Sequence, residues 1–361
     1  MIHVFLGTKA QYIKTAPLLR LLDARGVPYR LIDSGQHGAL SVGLRDELGV
    51  REPDVVLGDG RDVTSIAQAV RWAATIALHL IDRRRLRAEV FGDRPGVCVV
   101  HGDTPSTLLS ALLARRAKVR VAHLEAGLAS GRLTHPFPEE AIRRIVMRLA
   151  DVLFAPDATA LENLAAMPWV RGEVVALPGN TVVEALHHEL QLRGDAEVAD
   201  GPVVVTMHRV ENLNRRERVD ALAALVARIV DDRPVRFVLH GPTRQTLTRR
   251  GHLARLRARG VEFVDLAPHG EFVTMLAAAP FVITDGGSIQ EECALIGVPT
   301  LLWRAATERA DGVGANVVVS GYDPEVVEAF LDDPASFRRP PAATAATPSQ
   351  TVLDHLTARW G

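Results

Sequence analysis

The chain has 361 residues, 47% of them apolar, and a formal net charge of −1, which suffices for two hydrophobic cores and favours two α/β domains over one. That balance excludes a whole-chain field for nucleic acid or membrane surfaces. No run reaches membrane-spanning length and no secretory signal is visible, and Cys98 and Cys293 each lie in an apolar run, so a cytoplasmic protein with buried thiols is expected, with neither disulfide nor metal site.

HVFL opens the chain as a strand and passes into GTKAQYIK (7–14), with a helix over 12–25. Only three of the 42 basic residues are lysines, and Lys9 and Lys14 both stand in this loop. A lysine is a compact point charge that suits a phosphate. The competing reading is a pair of lysines on a helix surface. YRLID is the next strand and SGQHG (34–38) the turn after it, and residues 63–90 read as one helix with Trp72 on its apolar face.

VCVV (97–100) reads as a buried strand delivering Asp103, and VRVAH (119–123) as the next, delivering Glu125. The Leu- and Ala-rich segment between them makes the unit β-α-β. As parallel neighbours these strands put both carboxylates at their carboxyl ends, where open α/β sheets bind ligands. Two such carboxylates resist double ionisation, so one is expected to hold a proton near neutrality.

In PFPEEAIRR (136–144), Pro138 suits the first turn of a helix that carries Glu139, Glu140, Arg143 and Arg144. Glu139 and Arg143, four apart, can face one side. Glu139, after a Pro-Phe-Pro elbow, is read as functional; Glu140 is read as a helix-dipole and surface ion-pair residue. DVLFAP (151–156), a helix over 158–167 and the Pro-Gly-Asn turn (178–180) with its following helix complete this half.

The second half restarts the pattern. PVVVTMH, VRFVLHG, VEFVDL and FVITDGG are strands ending at His208, His240, Asp265 and Asp285. His208-Arg209 at a strand's carboxyl end suits an anionic ligand. In DGGSIQEE (285–292), Gly286 and Gly287 permit close backbone approach to a phosphate at a helix N-terminus, with the Ser288 hydroxyl nearby. Glu292, one turn in, can accept from vicinal hydroxyls, and Arg309 can meet a phosphate charge. A nucleotide diphosphate is the ligand that fits. The expected architecture is two doubly wound domains facing a cleft, 1–175 and 176–345, with a terminal helix in 346–361.

Taken in order, GTKAQYIKTAPLL, SGQHG, HGDTPSTLLSALLA, HLEAGL, PFPEEAIRR, LPGNTVVEAL, TMHRVENL, TDGGSIQEE, GVPTLL and ATER resemble the non-hydrolysing UDP-N-acetylglucosamine 2-epimerase family. The resemblance implies a GT-B fold whose terminal helix crosses back to the first domain. It also implies reversible epimerisation of UDP-N-acetylglucosamine at C2, by elimination and re-addition of UDP through a 2-acetamidoglucal. Neither metal nor other cofactor is implied. Asp103, Glu125 and Glu139 match acid/base carboxylates, and His208 and Arg309 match diphosphate contacts. Glu292 matches a ribose contact, and Lys9, Lys14 and Arg143 match basic positions around nucleotide and sugar. Phe272 falls where the uracil is held, and a homodimer is implied.

Several departures stand out. GTKAQ replaces GTRPE, placing Lys9 and Gln11 where an arginine and an acid are usual, and DGGS replaces DSGG, moving the hydroxyl to Ser288. Gln36 and His37 keep the GQH of an allosteric UDP-N-acetylglucosamine site, but Ala39 and Val210 replace polar positions, which points against substrate activation. The competing functions are a hydrolysing 2-epimerase releasing N-acetylmannosamine, a GT-B glycosyltransferase and a UDP-sugar sensor. The paired HGD and HLEAG motifs speak against the first, and the three carboxylates against the other two.

Overall fold

A computed structural model of the chain describes residues 1–36, 38–59, 63, 66–129, 138–193, 201–307, 309–341 and 347–361. His37 and the Pro136-Phe137 part of the predicted elbow lie outside the described residues. The chain divides into two units, Met1–Ala185 with Thr344–Gly361, and Leu186–Ala343. The chain passes between them inside the helix Thr181–Arg193.

The first unit is built on seven strands: β1 (Ile2–Leu6), β2 (Tyr29–Asp33), β3 (Val55–Val56), β4 (Val97–His101), β5 (Arg120–Leu124), β6 (Val152–Ala155) and β7 (Glu173–Ala176), in the spatial order β3-β2-β1-β4-β5-β6-β7. All pair in parallel. Alternate residues of β1 feed opposite layers. Val4 and Leu6 join a cluster with Leu18, Leu19 and Leu22, whereas Phe5 joins one with Trp72, Phe91 and Val146. Helices therefore cover both faces, which is why these strands read as unbroken apolar runs. The terminal helix Pro348–Trp360 packs Val352, Leu353 and Leu356 into the first of these clusters. The Met1 amino group donates to the Trp360 carbonyl at 2.6 Å. The chain thus ends on the unit in which it began.

The second unit carries β8 (Val203–Thr206), β9 (Val235–Leu239), β10 (Glu262–Asp265), β11 (Val282–Thr284), β12 (Thr300–Leu302) and β13 (Val317–Val319), ordered β10-β9-β8-β11-β12-β13 and wholly parallel. Val203 and Val205 face one cluster and Val204 the other. The strand order reverses beside β1 and beside β8, and at such points open α/β sheets bind ligands beyond the strands' carboxyl ends.

The continuous helix expected over 63–90 is broken. A helix spans Ile66–Leu78, and Asp82 then accepts from the Arg84 and Arg85 amides to start a fresh turn that runs into the π-helical Leu86–Val90. The first long helix begins at Lys9 rather than residue 12, because Thr8 and Gln11 form a reciprocal capping box. Pro138 caps the helix Glu139–Leu149 from just outside it. Both cysteines are free and buried, and burial pushes the Cys293 thiol up to about 12. Among the described residues no helix is long and apolar enough to cross a membrane.

Candidate active site

Strands β4 and β5 are hydrogen-bonded neighbours, with Val99 opposite Ala122 and His101 opposite Leu124. Each ends in a left-handed turn that presents a carboxylate. At β4 the turn is made by Gly102 at φ +70°, immediately before Asp103. At β5 Glu125 itself adopts φ +64°, a conformation that costs a residue with a Cβ roughly 1–2 kcal/mol. Such strain persists where the surroundings hold the residue, and here they do. Glu125 Oε1 accepts from Lys14 Nζ at 2.5 Å and from Asn180 Nδ2 at 2.9 Å, and Oε2 lies 3.8 Å from His101 Nδ1.

Asp103 accepts from Arg143, whose other terminal nitrogen donates to Glu140 at 2.7 Å. Each of these two carboxylates thus faces a cation of its own, Arg143 and Lys14. The helix-surface reading of Lys14 fails, since the residue is 5% exposed and its charge faces Glu125. Glu140 is likewise no surface residue: its side chain is fully buried and binds Arg143 and Arg144. The helix Glu139–Leu149 turns that position inward, where an unpaired charge would be costly. Glu139 is half-buried, and its Oε2 is shielded from solvent without a hydrogen-bond partner among the described residues.

His123 Nε2 lies 2.8 Å from the Gly102 carbonyl. A carbonyl only accepts, so Nε2 carries the proton. Burial pulls the His123 pKa down to about 4, keeping the ring neutral as it braces the turn before Asp103. Between the ends of β1 and β4, Gln11 joins two loops. Its Oε1 accepts from the Gly7 amide at 2.8 Å, while Nε2 donates to the His101 carbonyl at 2.8 Å and to Thr107 Oγ1 at 2.9 Å. Lys9, the first residue of the same helix, is half-buried. Gln36 is half-buried, its amide bonded to Ser34 Oγ.

In the second unit Asp285, just past β11, is fully buried. It accepts from the His208 and Arg209 amides at 2.9 and 3.0 Å and from Asn212 Nδ2 at 2.9 Å, with Oδ1 3.3 Å from His208 Nδ1. The loop after β8 is thereby fastened to the end of β11. Desolvation holds the His208 pKa below its ordinary value, and the ring stacks on His240 with centroids 4.7 Å apart. A Cβ at Gly286 would lie 2.8 Å from His208 Cε1, so a larger residue there would push the His208 ring aside. Gly287 opens the helix Gly287–Ile296 and Ser288 is exposed on its first turn. Glu292 is buried and bonded to His269 Nε2 at 3.1 Å, with Phe272 on the helix that begins at His269. Arg309 donates to the buried Glu291 at 2.9 Å. Among the described residues no group of three or more His, Cys, Asp and Glu side chains is placed to hold a metal ion.

Asn180, His123, Glu140 and Asp285 are the residues that motif reasoning left without a role. Asn180 and Asp285 carry a readable signal, a polar residue on a Gly-containing turn at a strand or helix end. His123 and Glu140 do not, since only the packing reveals what they brace.

Residues 20–345 match the family model described as UDP-N-acetylglucosamine 2-epimerase. A UDP-N-acetylglucosamine 2-epimerase of Methanocaldococcus jannaschii is 27% identical over 345 residues, covering 91% of this chain and 90% of the relative. A probable UDP-N-acetylglucosamine 2-epimerase of Ralstonia nicotianae is 31% identical over 335 residues, covering 87% and 85%. Among solved structures, the UDP-GlcNAc 2-epimerase of Neisseria meningitidis bound to UDP-GlcNAc superposes with a TM-score of 0.82 at 24% identity, over 99% of each chain.

Proposed function

The chain belongs to the UDP-N-acetylglucosamine 2-epimerase family, and from that premise we propose that it interconverts UDP-N-acetylglucosamine and UDP-N-acetylmannosamine without net hydrolysis. The C2 hydrogen of the sugar has no adjacent carbonyl to acidify it. Elimination of UDP across C1–C2 avoids that difficulty: a base takes the C2 proton as the C1–O bond to the diphosphate breaks, leaving a 2-acetamidoglucal. Re-addition of UDP at C1 with a proton delivered to the other face of C2 gives the epimer. Two faces require at least two acid/base groups.

The observation that carries this reading is the pair of carboxylates on adjacent strand ends. Asp103 is held by Arg143 and Glu125 by Lys14 and Asn180, and we assign Glu139, at the start of the helix Glu139–Leu149, as the third acid/base group. A carboxylate fixed by its neighbours loses little freedom on reaching the transition state. We assign the diphosphate to His208, Arg309 and the Gly286 and Gly287 amides, the ribose to Glu292 and the uracil to Phe272. Lys9 and Ser288 are proposed as further nucleotide contacts. Lys14 and Arg143 act through the carboxylates they hold. Cytoplasmic residence and a homodimer belong to the same proposal, the latter testable by light scattering.

Incubation with UDP-N-acetylglucosamine followed by anion-exchange separation tests the reaction. UDP-N-acetylmannosamine accumulating to an equilibrium mixture is the expected outcome. Stoichiometric N-acetylmannosamine and UDP would instead establish the hydrolysing reaction.

A further inference from the structure

On the second unit, sharing no lining residue with the site assigned above, the helices Arg216–Asp232, Gly241–Arg249 and His252–Ala258 border an open pocket of about 800 Å³. Arg216, Arg249, Arg250 and Arg255 line it, with Asp220 and His252 as the other polar residues. Arg216 Nε donates to Asp220 Oδ2 at 3.3 Å. Arg255 Nη2 lies 2.9 Å from His252 Nδ1, and His252 Nε2 lies 2.6 Å from Asp220 Oδ1. A guanidinium only donates, so His252 Nδ1 accepts from Arg255 and Nε2 faces Asp220. The lining sets four arginines against one aspartate, in a chain whose formal net charge is −1.

Among the described residues, three of the four arginines lack an acidic partner. Arg249 and Arg250 have no acidic partner among the described residues, and Arg255 has only His252. Like charges gathered around one space repel unless an anion occupies it. Guanidinium groups match phosphate oxygens two at a time.

We propose that this pocket is a binding site for a compact oxyanion of several charges, of the di- or triphosphate class, distinct from the sugar-nucleotide site. Arg249 and Arg250 are its principal ligands. Asp220 repels the guest and limits its affinity.

Calorimetric titration of the whole chain with inorganic tripolyphosphate at low salt, with saturating UDP present, tests the proposal. One site per chain is expected, weakening as salt rises. Arg249→Gln and Arg250→Gln should each lower affinity about tenfold, the loss of one charge-assisted contact. Asp220→Asn should raise it, an effect that general damage to the fold would not produce. A nucleoside triphosphate binding more tightly than tripolyphosphate, with the same response to these variants, would support the site and name a nucleotide as its natural guest. No binding of tripolyphosphate, or binding unchanged in both arginine variants, would overturn the proposal.

Discussion

Lys14 and Glu125 are separated by 111 residues in sequence and by 2.5 Å between Nζ and Oε1. Both side chains are 7% exposed, so each charge depends on the other. Lys14→Met removes the ammonium beside a buried carboxylate that also accepts from Asn180 Nδ2. We expect a loss of about 3 kcal/mol of stability, the usual consequence of halving a buried pair. Adding Glu125→Gln to that variant should restore part of the loss, and thermal denaturation of the two single variants and the double variant measures the coupling.

Glu125→Gln keeps the size of the side chain and removes its proton chemistry. Turnover of UDP-N-acetylglucosamine should fall about 100-fold or more, while UDP affinity changes little, because Glu125 is not among the assigned nucleotide contacts, which apart from Lys9 lie in the second unit. Rates near those of the parent protein would remove Glu125 from the mechanism.

Asp285 accepts from three donors, and Asp285→Asn replaces one of its two oxygens with an NH2 group. Whichever oxygen is replaced, that group faces a donor, the His208 amide at Oδ1 or the Arg209 and Asn212 donors at Oδ2, at about 1–3 kcal/mol. The loop bearing His208 should loosen, and calorimetry should show UDP affinity lowered about tenfold. Unchanged affinity would mean that Asp285 serves the fold alone.

Stability should fall on mild acidification. Burial holds His123 and His3 neutral in the folded state, each with a pKa near 4 against 6.5 for the free side chain. The unfolded chain then takes up protons that the folded chain refuses, so stability is intact above about pH 6.5 and declines as pH falls toward 4. For His123 the decline amounts to about 3 kcal/mol. Replacing it by Gln, which can still donate to the Gly102 carbonyl, should flatten the dependence of melting temperature on pH across that window.

Buried parallel strands were the most legible part of the sequence. VCVV, PVVVTMH and FVITDGG read as strands because helices cover both their faces, and the residues that close them, Asp103, His208 and Asp285, stand at the strands' carboxyl ends. The edge strands β3, β7 and β13 escaped notice for the opposite reason: they are two to four residues long and partly exposed. Partnerships across the chain escaped too. Nothing in GTKAQ announces that Gln11 reaches the His101 carbonyl 90 residues away, or that an amide suits that place because it must donate there and accept from Gly7. The burial of Lys14 and Glu140 was equally hidden, since helical spacing specifies which residues share a face but not which face meets the sheet.

The most direct test follows the C2 hydrogen itself. Proton NMR of the purified protein with UDP-N-acetylglucosamine in deuterated water should show deuterium entering C2 as UDP-N-acetylmannosamine builds toward equilibrium. UDP-N-acetylmannosamine that forms while retaining its C2 proton, or bound UDP with no exchange at C2 at all, would contradict the account.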